Sequence, residues 1–249
     1  MTQMTPESLG VRHAFANVNG IRMHYVEKGD GPLVLLLHGF PEMWWSWRYQ
    51  IPALARAGYR VVAPDLRGYG ETDAKGPFAI DTLRDDVLGL LDHLGQDRAI
   101  VVAHDWGGAI AWHLASTRQE RCSKLVVMNC PHPAVFTKAL YSKVSQLRRS
   151  WYMFFFQLPV LPERMLRARR GAAVIRALRG HAIDKTHFSA TELAPFAEAV
   201  CKPGRAAAMV GWYRAAIRAG LRARRNAGAG GSEKRPITIP TLLLWALED

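Results

Sequence analysis

A chain of 249 residues, 49% of them hydrophobic, can bury a large core, which excludes wholesale disorder. Its formal net charge is +12, yet residues 143–225 hold 17 Lys and Arg against 4 Asp and Glu, while the remainder holds 16 against 17. The charge belongs to one stretch, where runs such as RMLRARRGAAVIRALRG read as solvated faces of amphipathic helices, so a nucleic-acid surface is not expected.

The opening MTQMTPESLG lacks the basic start and apolar centre of a secretory signal, and no apolar run reaches the ~18–20 residues of a spanning helix. A cytoplasmic protein without a membrane partner is the expectation. Cys122, Cys130 and Cys201 stand far apart, which argues against both a disulfide framework and a metal knuckle.

Phe15–Val18 and Ile21–Val26 flank Asn19-Gly20, a strong hairpin signal. LVLLL (33–37), RVVAP (60–64), AIVVA (99–103) and KLVVM (124–128) follow as continuous apolar runs, the pattern of strands buried on both faces of a parallel sheet. Trp45–Ala57, Ile80–Leu94 and Trp106–Thr117 read as crossover helices between them. The fold class is α/β: a mostly parallel twisted sheet entered through a hairpin.

After Asn129-Cys130-Pro131-His132-Pro133 the strand signal stops. Helices are expected instead, one opened by the capping box Ser189-Ala190-Thr191-Glu192 and one running through Ala206–Ala219. A Gly-rich linker, NAGAGGSEKR, precedes a return to strand character in PTLLLWALED. This predicts a core of residues 1–133 and 236–249, with residues 134–235 forming a helical lid and linker over the carboxyl ends of the strands, where open α/β sheets place their sites.

The segment AHDWGG sits between a buried strand and a helix, with small residues two before and two after Asp105. That is the spacing of a nucleophile elbow with Asp in place of Ser, because larger side chains would collide in so sharp a turn. Taken alone, Asp105 also reads as an N-capping residue, but its place after a buried strand favours the elbow. His38-Gly39-Phe40-Pro41 follows the strand 33–37, where this architecture supplies one oxyanion-hole N–H. The donors would be the amides of Phe40 and Trp106, with Pro41 fixing the chain after Phe40.

HGFPEMWWSWR, DLRGYGETD, VVAHDWGG and NCPHP, in this order, resemble the branch of the α/β-hydrolase fold that contains epoxide hydrolases and haloalkane dehalogenases. The resemblance covers nearly the whole chain. It implies an Asp nucleophile attacking saturated carbon, an alkyl-enzyme ester, and hydrolysis of that ester at its carboxyl carbon. Neither cofactor nor metal is implied, and the substrate is a small epoxide or alkyl halide, contacted by Phe40, Pro41 and Trp106. The segments SWYMFFFQLP and GWYR are similar to lid segments that each supply a ring-opening tyrosine, which assigns Tyr152 and Tyr213. Without the resemblance, lid aromatics of this kind read as packing.

WALED at the end is similar to the family's W-G-x-x-D, which puts the His-orienting acid at Asp249. The family's His follows an eighth strand, so the expectation is a chain that stops before its last strand, final helix and catalytic His. The leading reading is an epoxide hydrolase forming vicinal diols. The rivals are a dehalogenase using the same Asp105 and a non-catalytic ligand-binding relative.

Overall fold

The computed structural model describes residues 5–225 and 236–246. Seven strands form one sheet: β1 (Arg12–Val18), β2 (Ile21–Lys28), β3 (Leu33–Leu37), β4 (Arg60–Pro64), β5 (Ala99–His104), β6 (Cys122–Met128) and β7 (Thr241–Leu244). They lie in the order β1-β2-β4-β3-β5-β6-β7. β1 and β2 are antiparallel, β2 is antiparallel to β4, and every pair from β4 to β7 is parallel. Asn19 and Gly20 both take positive φ (45° and 78°), as a two-residue hairpin turn demands.

β3 is buried along its whole length, which explains its uninterrupted LVLLL. The chain leaves β3 for β4 on one side and β5 on the other, so the carboxyl ends of β3 and β5 form a topological switch point, with Leu37 beside Ala103. A crevice opens there by construction. Helix α2 (Ile80–His93) packs on β1 and α3 (Trp106–Thr117), and α3 packs on β5 and β6.

The helix expected over Trp45–Ala57 is divided. Trp44–Trp47 form a 3-10 turn and α1 begins at Gln50, ending at Arg56. Pro52 gives the reason: inside a continuous helix it would remove an internal hydrogen bond, whereas in the first turn of α1 its missing N–H is not needed. The break also buries Trp44, Trp45 and Trp47 together.

Between β6 and β7 the described chain contains helices and no strand: α4 (Pro133–Ser142), α5 (Val144–Arg149), α6 (Trp151–Phe155), α7 (Leu161–His181), α8 (Ala190–Cys201) and α9 (Arg205–Arg225). Ser189 and Glu192 form the expected capping box at the start of α8. The arginine-rich α7 corrects the expectation of regular amphipathic helices, since Ala168–Gly171 leave helical geometry. Gly171 takes φ 78°, and a Cβ there would lie 2.6 Å from the Ala197 carbonyl oxygen. The chain kinks where its backbone meets α8.

The loop after β4 holds this helical segment down. Trp212 Nε1 donates to the Arg67 carbonyl (3.1 Å) and Arg205 Nε to that of Gly70 (2.9 Å). Arg67 itself is fixed by a buried ion pair, its Nε donating to Asp86 at 2.6 Å. Gly68 takes φ 84°, and a Cβ on it would stand 2.4 Å from that of Ala208, so α9 rests on bare backbone.

Candidate active site

Asp105 occupies the turn between β5 and α3 with φ 48° and ψ −118°, a region that a non-glycine residue adopts only where its surroundings over-determine it. Those surroundings are visible. Gly107 lies on the end of β3, where a Cβ would meet the Leu37 carbonyl oxygen at 2.2 Å, and its N–H donates to the His38 carbonyl at 3.0 Å. Ala103, two residues before the turn, is fully buried. Of the small residues expected around an elbow, Gly107 is therefore forced by backbone contact and Ala103 by complete burial.

The side chain of Asp105 does not cap α3. Its Oδ1 instead accepts the Phe40 N–H at 2.8 Å, and the Trp106 N–H also bonds the carboxylate. These are the two amides expected to form the oxyanion hole. Burial drives the Asp105 carboxyl above the ordinary aspartate value, and the opposing pull of His104 and the two N–H groups does not cancel it.

The loop carrying Phe40 is locked from below by a buried histidine. His38 Nε2 accepts the Leu66 N–H at 3.0 Å while Nδ1 donates to the Gly39 carbonyl at 2.9 Å, an assignment that requires the neutral ring. Burial, which lowers the His38 pKa, agrees. Gly39 then passes directly over the elbow: a Cβ there would lie 2.4 Å from the Asp105 Cβ and 2.7 Å from Oδ1. Gly39→Ala should displace the carboxylate and slow its reaction with substrate by about 100-fold or more, the cost of misplacing a reacting group by ~1 Å. Single-turnover kinetics on a variant with an unchanged circular dichroism spectrum would check this.

Above the carboxylate stands a cluster of aromatic rings. Tyr213 contacts Trp106 (centroids 5.1 Å), Phe40 (5.3 Å) and Phe156 (4.9 Å), and Tyr152 stands 5.7 Å from Tyr213. The two tyrosines assigned by resemblance, from segments sixty residues apart, are thus brought together, with Tyr213 close enough for the Asp105 charge to act on its hydroxyl. Burial first, and then the Asp105 charge, holds the Tyr213 hydroxyl well above its usual pKa. It stays protonated and able to donate.

Arg214 supplies the link between the two tyrosine segments. Its Nε donates to the Phe156 carbonyl (3.0 Å), one terminal nitrogen to that of Leu158 (2.6 Å), and the other to Glu163 (2.6 Å). Sequence reasoning quoted GWYR but gave Arg214 no role. It also missed Glu42, whose Oε2 accepts the Gly39 N–H at 2.9 Å and lies 3.3 Å from His104 Nδ1. Burial alone would raise the Glu42 carboxyl, but His104 and the Gly39 N–H hold it below the ordinary range. The signal for Glu42 was present in HGFPE, as a carboxylate three residues after the oxyanion glycine.

Pro41 is buried directly after Phe40. Asp249 lies outside the described residues; the segment leading toward it passes the end of β6, where the Ala246 N–H bonds Asn129 Oδ1 at 2.8 Å. β7 is the outer strand of the described sheet, with Leu242, Leu243 and Leu244 exposed. Among the described residues no helix is long and apolar enough to cross a membrane, and no three metal-ligating side chains gather.

Comparison with known proteins agrees with this fold. Residues 32–179 match the family model described as alpha/beta hydrolase fold. The AB hydrolase superfamily protein YfhM of Bacillus subtilis is 42% identical over 245 residues, covering 96% of this chain and 82% of that protein. Human epoxide hydrolase 4 is 37% identical over 257 residues, covering 99% of this chain and 68% of its own length. Among solved structures, the Bacillus megaterium epoxide hydrolase, crystallised with an inhibitor, superposes with a TM-score of 0.83 at 29% identity, covering 93% of this chain and 82% of that one. Epoxide hydrolase VrEH1 of Vigna radiata gives 0.79 at 30%, covering 98% and 81%. The chain belongs to the alpha/beta hydrolase fold family and is an enzyme of the epoxide hydrolase-like type.

Proposed function

We propose that the protein opens epoxides to vicinal diols through a covalent ester on Asp105. The observation that carries this reading is a carboxylate gripped by the Phe40 amide at 2.8 Å, with the phenol of Tyr213 near its charge and that of Tyr152 beside Tyr213. With Oδ1 held, Oδ2 is the oxygen free to attack. It forms a bond to one oxirane carbon as the carbon–oxygen bond of the ring breaks, and the departing oxygen takes a proton from Tyr213 or Tyr152. Water then attacks the carboxyl carbon of the ester. Negative charge develops on the oxygen already bound by the Phe40 amide, with the Trp106 amide beside the same carboxyl, so donors are in place before they are needed. Collapse regenerates the carboxylate and releases the diol, the two protons of the attacking water going to the departing alkoxide and back to the tyrosinate left by ring opening. The resemblance assigns the base for that water to an imidazole oriented by Asp249. The helices between β6 and β7 act as a cap that carries the phenols and excludes solvent.

The dehalogenase alternative needs N–H donors for halide. Of the two indoles beside the site, Trp212 has its N–H committed to the Arg67 carbonyl and Trp106 suits either reaction, while the paired Tyr152 and Tyr213 are phenols. Epoxide opening fits that donor set better.

Two shifted groups predict the pH dependence of ester formation. The reactive form has Asp105 ionised, and its pKa is raised, so the rate should fall with acid at a pH above the ordinary aspartate value of 3.8. Tyr213 keeps its proton beyond its usual range, so alkaline loss should not begin near neutrality. Measured pre-steady-state ester formation from a reactive epoxide should show both limbs. Halide release from alkyl halides, with epoxides left unreacted, would overturn the reading.

A further inference from the structure

The segment carrying Tyr152 and Phe156 on its inner side carries a different chemistry outside. Trp151, Phe154, Leu158, Val160, Leu161 and Met165 are all exposed, Trp151 to 59% and Val160 to 55%. They occupy one continuous stretch from α6 through the turn into α7. Large apolar side chains do not crowd together on a solvated surface without a partner. Basic residues flank them on both sides: Arg148 and Arg149 before, and Arg164, Arg167, Arg169 and Arg170 after, all exposed. Residues 143–170 contain a single acid, Glu163, and it is bound to Arg214. Three of these arginines, with Ala168 and Cys201, also line a recess of about 370 Å³ that includes no residue of the catalytic set.

We propose that this face docks on an anionic lipid bilayer, with the apolar side chains entering the interface and the arginines engaging lipid phosphates. Charge complementarity selects the occupant. A second copy of the chain would bring six arginines against six in a two-fold contact, and like charges would oppose it. An acidic bilayer offers both an apolar phase and a negative surface, and tryptophan favours the boundary between them. The inference revises the expectation of no membrane partner. That expectation rested on the lack of a secretory signal and of a spanning run, and on reading the arginines as solvated helix faces, neither of which weighs the apolar stretch 151–161. Binding is independent of the chemistry at Asp105.

Sedimentation with vesicles tests the proposal, using the 249-residue chain with phosphatidylcholine alone and with phosphatidylcholine mixed with phosphatidylglycerol. The protein should pellet with the anionic vesicles, remain in solution with the neutral ones and without lipid, and be released by salt. Each arginine near such a surface contributes about fivefold to partitioning, so Arg164→Gln/Arg167→Gln/Arg170→Gln should weaken binding about 100-fold. Trp151→Gln/Leu161→Gln should weaken it independently, with thermal melts showing that both variants fold. A wild-type chain that stays in the supernatant, or folded variants that pellet as well as wild type, would overturn the proposal. So would a dimer seen by light scattering that Trp151→Gln/Leu161→Gln dissolves, which would give the face to a second copy.

Discussion

Replacing Asp105 with Asn or Ala should slow epoxide consumption by at least about 10⁴-fold, because the residue supplies the attacking atom rather than assisting it. The amide of Asn keeps the size of the side chain and can still accept the Phe40 N–H, yet its oxygen is a poor nucleophile. Ala removes the group altogether and cannot revert by deamidation. Both variants should fold, since φ 48° at this position is a strain that the carboxylate itself does not relieve. Steady-state and single-turnover rates on the two variants, beside their melting curves, separate lost chemistry from lost structure. The Ala variant retaining more than a few per cent of wild-type consumption would move the nucleophile elsewhere.

The second large effect concerns the phenols. General-acid assistance contributes ~10²–10⁴-fold, so Tyr152→Phe/Tyr213→Phe should slow ring opening by about that factor while leaving hydrolysis of a preformed ester untouched. The single variants should lose less, because the two rings stand 5.7 Å apart and each can cover in part for the other. Phe keeps the ring, so the contacts of Tyr213 with Phe40, Phe156 and Trp106 survive and the packing argument is controlled. The measured quantity is the rate of ester formation after rapid mixing with epoxide. An unchanged rate in the double variant would return both residues to packing.

The strands were legible because burial on both faces leaves a signature that needs no partner information. LVLLL and RVVAP match β3 and β4 residue for residue. Asp105 was legible for a related reason, since steric limits on one sharp turn are written within five consecutive residues. The tyrosines were a different matter. Nothing in their local pattern separates a catalytic phenol from a packed one, and only the resemblance singled them out. Glu42 and Arg214 escaped because their roles arise from contacts across long stretches of chain. Arg214 matters through carbonyl groups 58 and 56 residues away, which no periodicity encodes. The kink at Ala168–Gly171 was hidden likewise, because it depends on where α8 lies. The break before α1 could have been read from Pro52, whose place near the middle of the expected helix was a local warning.

The central claim is a covalent bond between Asp105 and substrate carbon, and mass spectrometry of the acid-quenched enzyme tests it most directly. After brief exposure to a reactive epoxide, the intact protein should gain one equivalent of the epoxide's mass. Digestion should place that mass on the peptide carrying Asp105, with the gain absent in Asp105→Ala. An adduct confined to any other residue, or diol formed at full rate without a mass gain in quenched time points, would contradict the account.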